Sequence, residues 1–380
     1  MVFVPGTKLF GEMNSERSGL WFGHEDLTQE LFIVAKLPTP LIKAVYSGAP
    51  SSVILSVVRA KQHNVRIIGI RVDDDLDRPF FATHPSVTLE EHTNVEEVLT
   101  YSHIRMHFFD ERTRPVLSLS CSVDQAQVKQ ALIDFSKTRP HYASTRNSVA
   151  QFAHDLFQAD QEKMFLSQKE PAHTLVSHHI PLSLTTCNPI KVFEPDRGEF
   201  QIDDRDEGDG FEQSVHGSLA YVFPNSTYRS PQVGVAAHQR ELTDLLAFES
   251  EIICLGEAKA FSVLNTNPTR STNRRASTIE KDVQKALRQL KGAIRRIRAG
   301  DPIYDLQQHT ISIPHCSDAT VYALIVISEM NPFVDWSEVA RSILEASDEW
   351  EKTFFYVLDL QELQRLAISA EYPRSSASIC

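Results

Sequence analysis

The chain has 380 residues, of which 42% are hydrophobic and 23% charged, and a formal net charge of −12 at pH 7. This composition suits a globular protein with room for two domains and excludes a disordered or fibrous one. No apolar run is long enough to span a bilayer, and the opening MVFVPGTKLFGEMNSERSG lacks a basic segment followed by an apolar one, so neither a membrane span nor a signal peptide is expected.

Residues 1–138 read as an N-terminal domain of mixed α and β structure with a sensing or assembly role. The segments LFIVAKL, SVILSVVRA, VRIIGIRV and RPVLSLSCSV are rich in β-branched residues and read as strands. Thr88–Ser102 opens with Thr followed three residues later by Glu, the pattern of a capped helix. The acidic clusters Asp73-Asp74-Asp75 and Asp110-Glu111 are expected to be turn residues on a solvated edge. Residues 139–195 read as a connector, helical over RNSVAQFAHDLFQADQEKMFL and extended over SHHIPLSLTTCNPIKVF. Adjacent residues of a strand point to opposite faces, so His178 and His179 are not expected to share a metal ion. The five cysteines (Cys121, Cys187, Cys254, Cys316, Cys380) are scattered. An odd, unclustered set predicts a reducing cytoplasm and argues against zinc or a disulfide framework. Cys254 is expected to be a small buried hydrophobe.

Residues 196–380 read as a second α/β domain. GDGFEQSVHGSLAYVF predicts a helix carrying Glu212, and a strand is expected around Tyr228–Val233. LTDLLAFESEIICLGEAKAF (Leu242–Phe261) predicts two apolar strands joined by a polar turn, with Asp244 in the first and Glu257 and Lys259 at the end of the second. Side chains alternate along a strand, so Glu257 and Lys259 share a face. Two carboxylates and an ammonium there make a poor core. They make a good place to hold a divalent metal and a water beside a phosphodiester.

After a polar loop over 265–277, expected to order on a substrate, a basic amphipathic helix is predicted over Ile279–Arg298. Ile279, Val283, Ala286, Leu287, Leu290, Ile294 and Ile297 form its core stripe. From Arg270 to Arg298 there are ten Lys or Arg against Glu280 and Asp282, a local charge of +8 that leaves −20 on the remainder. One concentrated basic element in an acidic protein can hold a polyanion locally. Arg270, Arg274, Arg275, Lys281, Lys285 and Arg288 are the candidate phosphate contacts. Strands near Ile311 and over Val321–Ile327, a helix over DWSEVARSILEASDE, a strand over TFFYVLDL, a closing helix over QELQRLAIS and a frayed tail complete the reading.

Asp244 and the triplet Glu257-Ala258-Lys259, with 13 residues from Asp to Glu, resemble the PD-(D/E)XK nuclease superfamily. The order helix, strand, strand-turn-strand with ExK, helix, strand matches as well. The Pro usual before the Asp is replaced by Thr243. The resemblance implies a restriction-endonuclease-like mixed sheet flanked by helices. It also implies an Mg²⁺- or Mn²⁺-dependent endodeoxyribonuclease, with DNA as the expected substrate and RNA left open. Asp244, Glu257, the Ala258 carbonyl and, through water, Glu212 would hold the metal. Lys259 would orient the attacking water or offset phosphorane charge. Asp209 is the rival of Glu212, Glu241 is a further acid near the metal, and Gln289 or Lys285 is expected to reach the site from the basic helix. A nuclease domain joined to an unrelated N-terminal module resembles prokaryotic defence and restriction-type proteins, Shedu among them, and implies a cytoplasmic homo-oligomer. The alternative is a non-catalytic or regulatory nucleic-acid-binding protein on a nuclease fold.

Overall fold

The computed structural model describes residues 3–24, 30–60, 64–75, 79–86, 89–137, 173–194, 198–234, 239–264, 272–314, 317–330 and 334–376. The chain is α/β and divides into two compact units, the first ending at Val192 and also holding Gln201–Asp203. Among the described residues no helix is long and apolar enough to cross a membrane.

The first unit contains helices α1 (Thr7–Ser15), α2 (Thr39–Tyr46), α3 (Leu89–Thr100) and α4 (Gln125–Ser136). Its strands are β1 (Gly19–His24), β2 (Leu31–Lys36), β3 (Ser51–Ala60), β4 (Asn64–Val72), β5 (Phe80–Ser86), β6 (His103–Phe109), β7 (Pro115–Ser122), β8 (His173–Pro181) and β9 (Ser183–Pro189). One sheet runs β1-β2-β6-β7-β9 and the other β5-β4-β3-β8. The β2–β6 pair is parallel and its neighbours antiparallel, so the first sheet is mixed. Residues 51–57 of β3 are all buried, so Val53, Ile54, Leu55 and Val57 do not alternate with exposed residues.

Residues 173–189, expected to lie in a connector, supply β8 and β9 to these sheets. The helix expected over 146–166 lies outside the described residues. His178 lies 3.0 Å from Asp134, and His179 faces Ser177. Asp110 does open a turn, its carbonyl accepting from the Thr113 amide at 2.9 Å, but the acidic clusters are not on a solvated edge. Asp110 is fully buried, with Arg114 at 2.6 Å, and Asp74 and Asp75 are buried too. Glu111 accepts from the Thr39 amide at 2.9 Å and so caps α2. Burial, then the neighbouring Asp110, pushes its carboxyl above the usual range. Of the expected capping box, Thr88 lies outside the described residues, and Glu91 faces His84 at 2.7 Å.

The second unit contains α5 (Glu207–Val222), α6 (Thr272–Arg298), α7 (Trp336–Glu349) and α8 (Leu360–Ser376). Its main sheet is β12 (Thr227–Arg229), β15 (Leu245–Glu249), β16 (Ile252–Lys259), β19 (Thr320–Ile327) and β20 (Thr353–Asp359), in that order. The pairs from β12 to β16 are antiparallel, and those from β16 to β20 are parallel. Helices α6 and α7 are the crossovers that parallel pairing requires. Minor sheets are formed by β10 (Val192–Glu194) with β11 (Gly198–Phe200), and by β14 (Arg240–Glu241), β13 (Gln232–Val233), β17 (Ile303–Tyr304) and β18 (Thr310–Ile311).

Two cores follow from strand alternation. Ile253 and Leu255 face the cluster with the apolar stripe of α6, while Cys254 and Ala258 face the cluster with Val215, Leu219 and Leu363. Burial pushes the Cys254 thiol up to about 12, as befits an inert core thiol. The strand expected over Tyr228–Val233 is broken into β12 and β13. Ser230 adopts a φ of 47° and is followed by Pro231, which ends a ladder because it has no N–H.

Candidate active site

The candidate site lies at the end of β16. Gly256 sets the spacing, since a Cβ there would lie 3.1 Å from Leu245 Cβ. A larger residue would push the start of β15 away, and Asp244 with it. Asp244 precedes β15 rather than lying in it. Its carbonyl accepts from the Ser230 amide at 2.8 Å, one step beyond the Arg229–Leu245 pair, while its side chain reaches across to β16.

Asp244 Oδ2 accepts the Ala258 amide hydrogen at 2.7 Å. The N–H and C=O of one strand residue point to the same edge, so the Ala258 carbonyl is directed towards Asp244 too. Lys259 Nζ lies 2.6 Å from Glu257 Oε2 and 3.3 Å from Asp244 Oδ2. Thr243 Oγ1 lies 2.8 Å from the Gly256 carbonyl and 3.2 Å from Glu257 Oε1. Glu257 is fully buried and Asp244 nearly so.

Electrostatics follow from this enclosure. Burial, then Asp244, raises the Glu257 carboxyl to about 7, against the opposing pull of Lys259 and Thr243. Burial works against the charge of Lys259, but Glu257 and Asp244 overcome it and hold the ammonium above its ordinary range. Lys259 is therefore a cation at neutral pH and cannot take a proton.

Glu212, on α5, pairs with Arg229 at 3.5 Å. Its carboxyl is raised by burial and then by Asp244, which places the two acids in one electrostatic neighbourhood. Its rival Asp209 is tied to the same guanidinium. Glu241 is exposed on β14.

Three contributors were not recognisable in the sequence. Thr243 stands where a proline was expected and binds Glu257. Arg229 holds Glu212. The Asp282 carboxyl, on α6, is raised by burial, and the charges of Lys259 and then Lys285 oppose that rise. No residue string signals any of the three; Asp282, one residue before core-facing Val283, is marked only by its position. Gln289, expected in the site, is exposed on α6. It lies about two turns beyond Asp282, about 10 Å further along the axis.

The basic helix starts at Thr272, so residues 272–277 are helical rather than part of a loop. Arg270 lies outside the described residues. Arg275 departs from its expected role as a phosphate contact. It is 8% exposed, donates to Glu329 at 2.6 Å and sits 5.7 Å from the Phe261 ring centroid. It lies one residue before Ala276, where the helix turns into the core. Arg274, Lys281, Lys285 and Arg288 are exposed, and at 3.6 residues per turn they fall on one stripe about 21 Å long. Lys291 and Arg295 pair with Glu349, and Arg296 with Asp301.

The donor set at β16 suits a hard cation: two carboxylates and a carbonyl directed to the same edge, all oxygen. Among the described residues no three His, Cys, Asp or Glu side chains are grouped to hold a metal by themselves. Mg²⁺ does not require that, since one or two carboxylates with waters and substrate phosphate oxygens suffice. As the site stands, Lys259 is the cation shared by Asp244 and Glu257. Comparison of the chain with protein-family models, curated proteins and solved structures found no match.

Proposed function

We propose that the second unit is a PD-(D/E)XK-type, metal-dependent endonuclease domain that hydrolyses phosphodiesters, with DNA as its substrate. The observation that carries this reading is the meeting of Asp244, Glu257 and Lys259 around the Ala258 peptide at the end of one strand. The sheet order, antiparallel to β16 and parallel beyond it with α6 as crossover, supports a restriction-endonuclease-like fold.

Asp244 and Glu257, with the Ala258 carbonyl, would hold Mg²⁺ or Mn²⁺, and Glu212 would reach it through water. When bound, the metal polarises the phosphate and lowers the pKa of the attacking water. The protein's own groups supply the rest. Lys259, held protonated, places positive charge where the phosphorane becomes more anionic, a preorganised role that needs no proton transfer. Thr243 holds the Glu257 carboxylate at Oε1 and Lys259 engages Oε2, so a metal would share or take the oxygen that the lysine now holds. The exposed stripe of α6 tracks a phosphate backbone without reading bases. As an acidic chain with one basic ridge, the protein would favour a polyanion at that ridge alone.

The test is cleavage of plasmid and linear DNA by the purified protein, with Mg²⁺ or Mn²⁺ and after exhaustive EDTA. Cleavage that survives EDTA would overturn the proposal. DNA binding without cleavage in either metal, by a protein that also fails to bind Mn²⁺ calorimetrically, would favour a non-catalytic binding module.

A further inference from the structure

Lys259 stands on the carboxylate oxygens that the metal reading assigns to a cation. Its Nζ lies 2.6 Å from Glu257 Oε2 and 3.3 Å from Asp244 Oδ2. The same Asp244 oxygen accepts the Ala258 amide hydrogen at 2.7 Å. The other Glu257 oxygen lies 3.2 Å from the Thr243 hydroxyl. Both oxygens of Glu257 are therefore engaged, and its side chain is 1% exposed, against 14% for Lys259 and 11% for Asp244. The ammonium bridges the two carboxylates at the end of β16.

A hydroxyl can share a carboxylate oxygen with a metal, because it is neutral. An ammonium does not share one readily, since two cations on one buried oxygen repel across a few ångströms with little screening. A dication that engages Glu257 Oε2 thus competes with Lys259 for it. Charge gives the competition a direction. With both acids ionised, the three side chains sum to one negative charge. A dication makes that one positive, carried by an ammonium that has lost its partners in a largely enclosed site, which is unfavourable. A phosphodiester brings one negative charge and oxygens that accept from an ammonium. It restores neutrality, and the flexible four-carbon stem of a lysine lets the ammonium change partners while the strand stays in place.

We propose that Lys259 is an internal cation that guards the site: it holds Glu257 and Asp244 until a metal displaces it, and it then turns to the phosphodiester of the substrate. Metal and nucleic acid therefore bind as a pair, each tightening the other by the same factor. Lys259 is thus more than a fixed positive charge, because its release depends on the metal. This role rests on the reading of Asp244 and Glu257 as metal ligands.

The test uses the full chain at about pH 8, above the value of about 7 to which the Glu257 carboxyl is raised, so that the lysine and not a proton is the competitor. Lys259 is followed by acetylation with a succinimidyl ester, read by mass spectrometry, with exposed Lys137 of the first unit as the reference. Lys259 should react slowly in EDTA and about fivefold faster or more in saturating Mn²⁺. It should react slowly again when a phosphorothioate DNA duplex, which resists hydrolysis, is added with the Mn²⁺. Calorimetry should show Lys259→Met binding Mn²⁺ about tenfold more tightly than the parent, each measured at the pH where its affinity levels off. Acetylation is read on the parent chain, so it keeps the test decisive if Lys259→Met does not fold. Three results would each overturn the proposal: equal reactivity of Lys259 in EDTA and Mn²⁺, reactivity that persists under the duplex, or Mn²⁺ affinity in Lys259→Met no tighter than in the parent. If Asp244→Asn abolishes Mn²⁺ binding while one of these holds, the metal site stands and only the guarding role fails. If parent and Lys259→Met bind no Mn²⁺ at all, both fail.

Discussion

Asp244 accepts the backbone N–H of Ala258 at 2.7 Å. One carboxylate oxygen thus has a structural duty, closing the gap where β15 leaves the ladder, as well as the metal-binding duty proposed for it. Removing the side chain and removing its charge should therefore have different consequences.

Asp244→Ala leaves the buried Ala258 amide without its acceptor and should cost about 1–3 kcal/mol of stability as well as all cleavage. Asp244→Asn keeps an acceptor oxygen but loses the charge, so it should melt near the parent while losing Mn²⁺ binding and cleavage. Denaturant unfolding beside calorimetric Mn²⁺ titration separates the two. An Asn variant that binds Mn²⁺ like the parent would remove Asp244 from the ligand set.

The Glu257 carboxyl at about 7 predicts a sign for the pH dependence. Between its ordinary value and about 7, the folded state binds the proton that the unfolded state has released. Stability of the metal-free protein from this group therefore falls as pH rises through that window. Lys259 acts oppositely in range: its contribution is present below its ordinary value and is lost only as pH climbs through the raised one. Metal must displace the Glu257 proton, so Mn²⁺ affinity should climb up to tenfold per pH unit below about 7 and level off above it. The Glu257→Gln variant, which cannot titrate there, isolates the effect on stability. Parallel stability curves for parent and variant across the window would contradict it.

Much of the second unit was legible because its signals are local and periodic. The core stripe of α6, from Ile279 to Ile297, is buried as its spacing implies, and the alternation around Leu255 and Glu257 places the acid and Lys259 on one face. What was not legible depends on tertiary placement. Arg275 and Arg274 are adjacent in sequence, yet the 100° turn between them sends one into an ion pair with Glu329 and the other to solvent. Asp110 belongs to a run that looks like a turn, and only the fold reveals Arg114 beside it, with no exposure left to either carboxylate oxygen. Thr243 carries no motif; its role exists only because Gly256 lets β15 approach closely.

That contrast between neighbouring arginines can be measured. Replacing Arg274, Lys281, Lys285 and Arg288 with Gln should weaken DNA binding alike for all sequences. It should also flatten the slope of log K against log salt by up to about 3.6, at about 0.9 for each phosphate that is no longer neutralised. Melting should stay near the parent, since these side chains are exposed. Arg275→Gln should do the reverse, losing about 3 kcal/mol of stability through the broken, largely buried pair with Glu329 while leaving the salt slope unchanged. A fourfold variant with the parent's affinity and slope would show that the ridge is only a solvated face.

Thr243→Val tests the smallest claim about the site. The substitution keeps the branched shape and removes the hydroxyl that reaches both the Gly256 carbonyl and Glu257 Oε1. Stability should fall by about 1 kcal/mol for the lost hydrogen bond. The hydroxyl also helps hold the Glu257 carboxyl down, so without it that carboxyl should rise further and the pH at which Mn²⁺ affinity levels off should move up. Under the nuclease reading, cleavage at a pH below that point should drop several-fold, and it should recover as pH is raised. A cleavage defect that stays the same at every pH would mean that Thr243 acts on the fold rather than on the charge of Glu257.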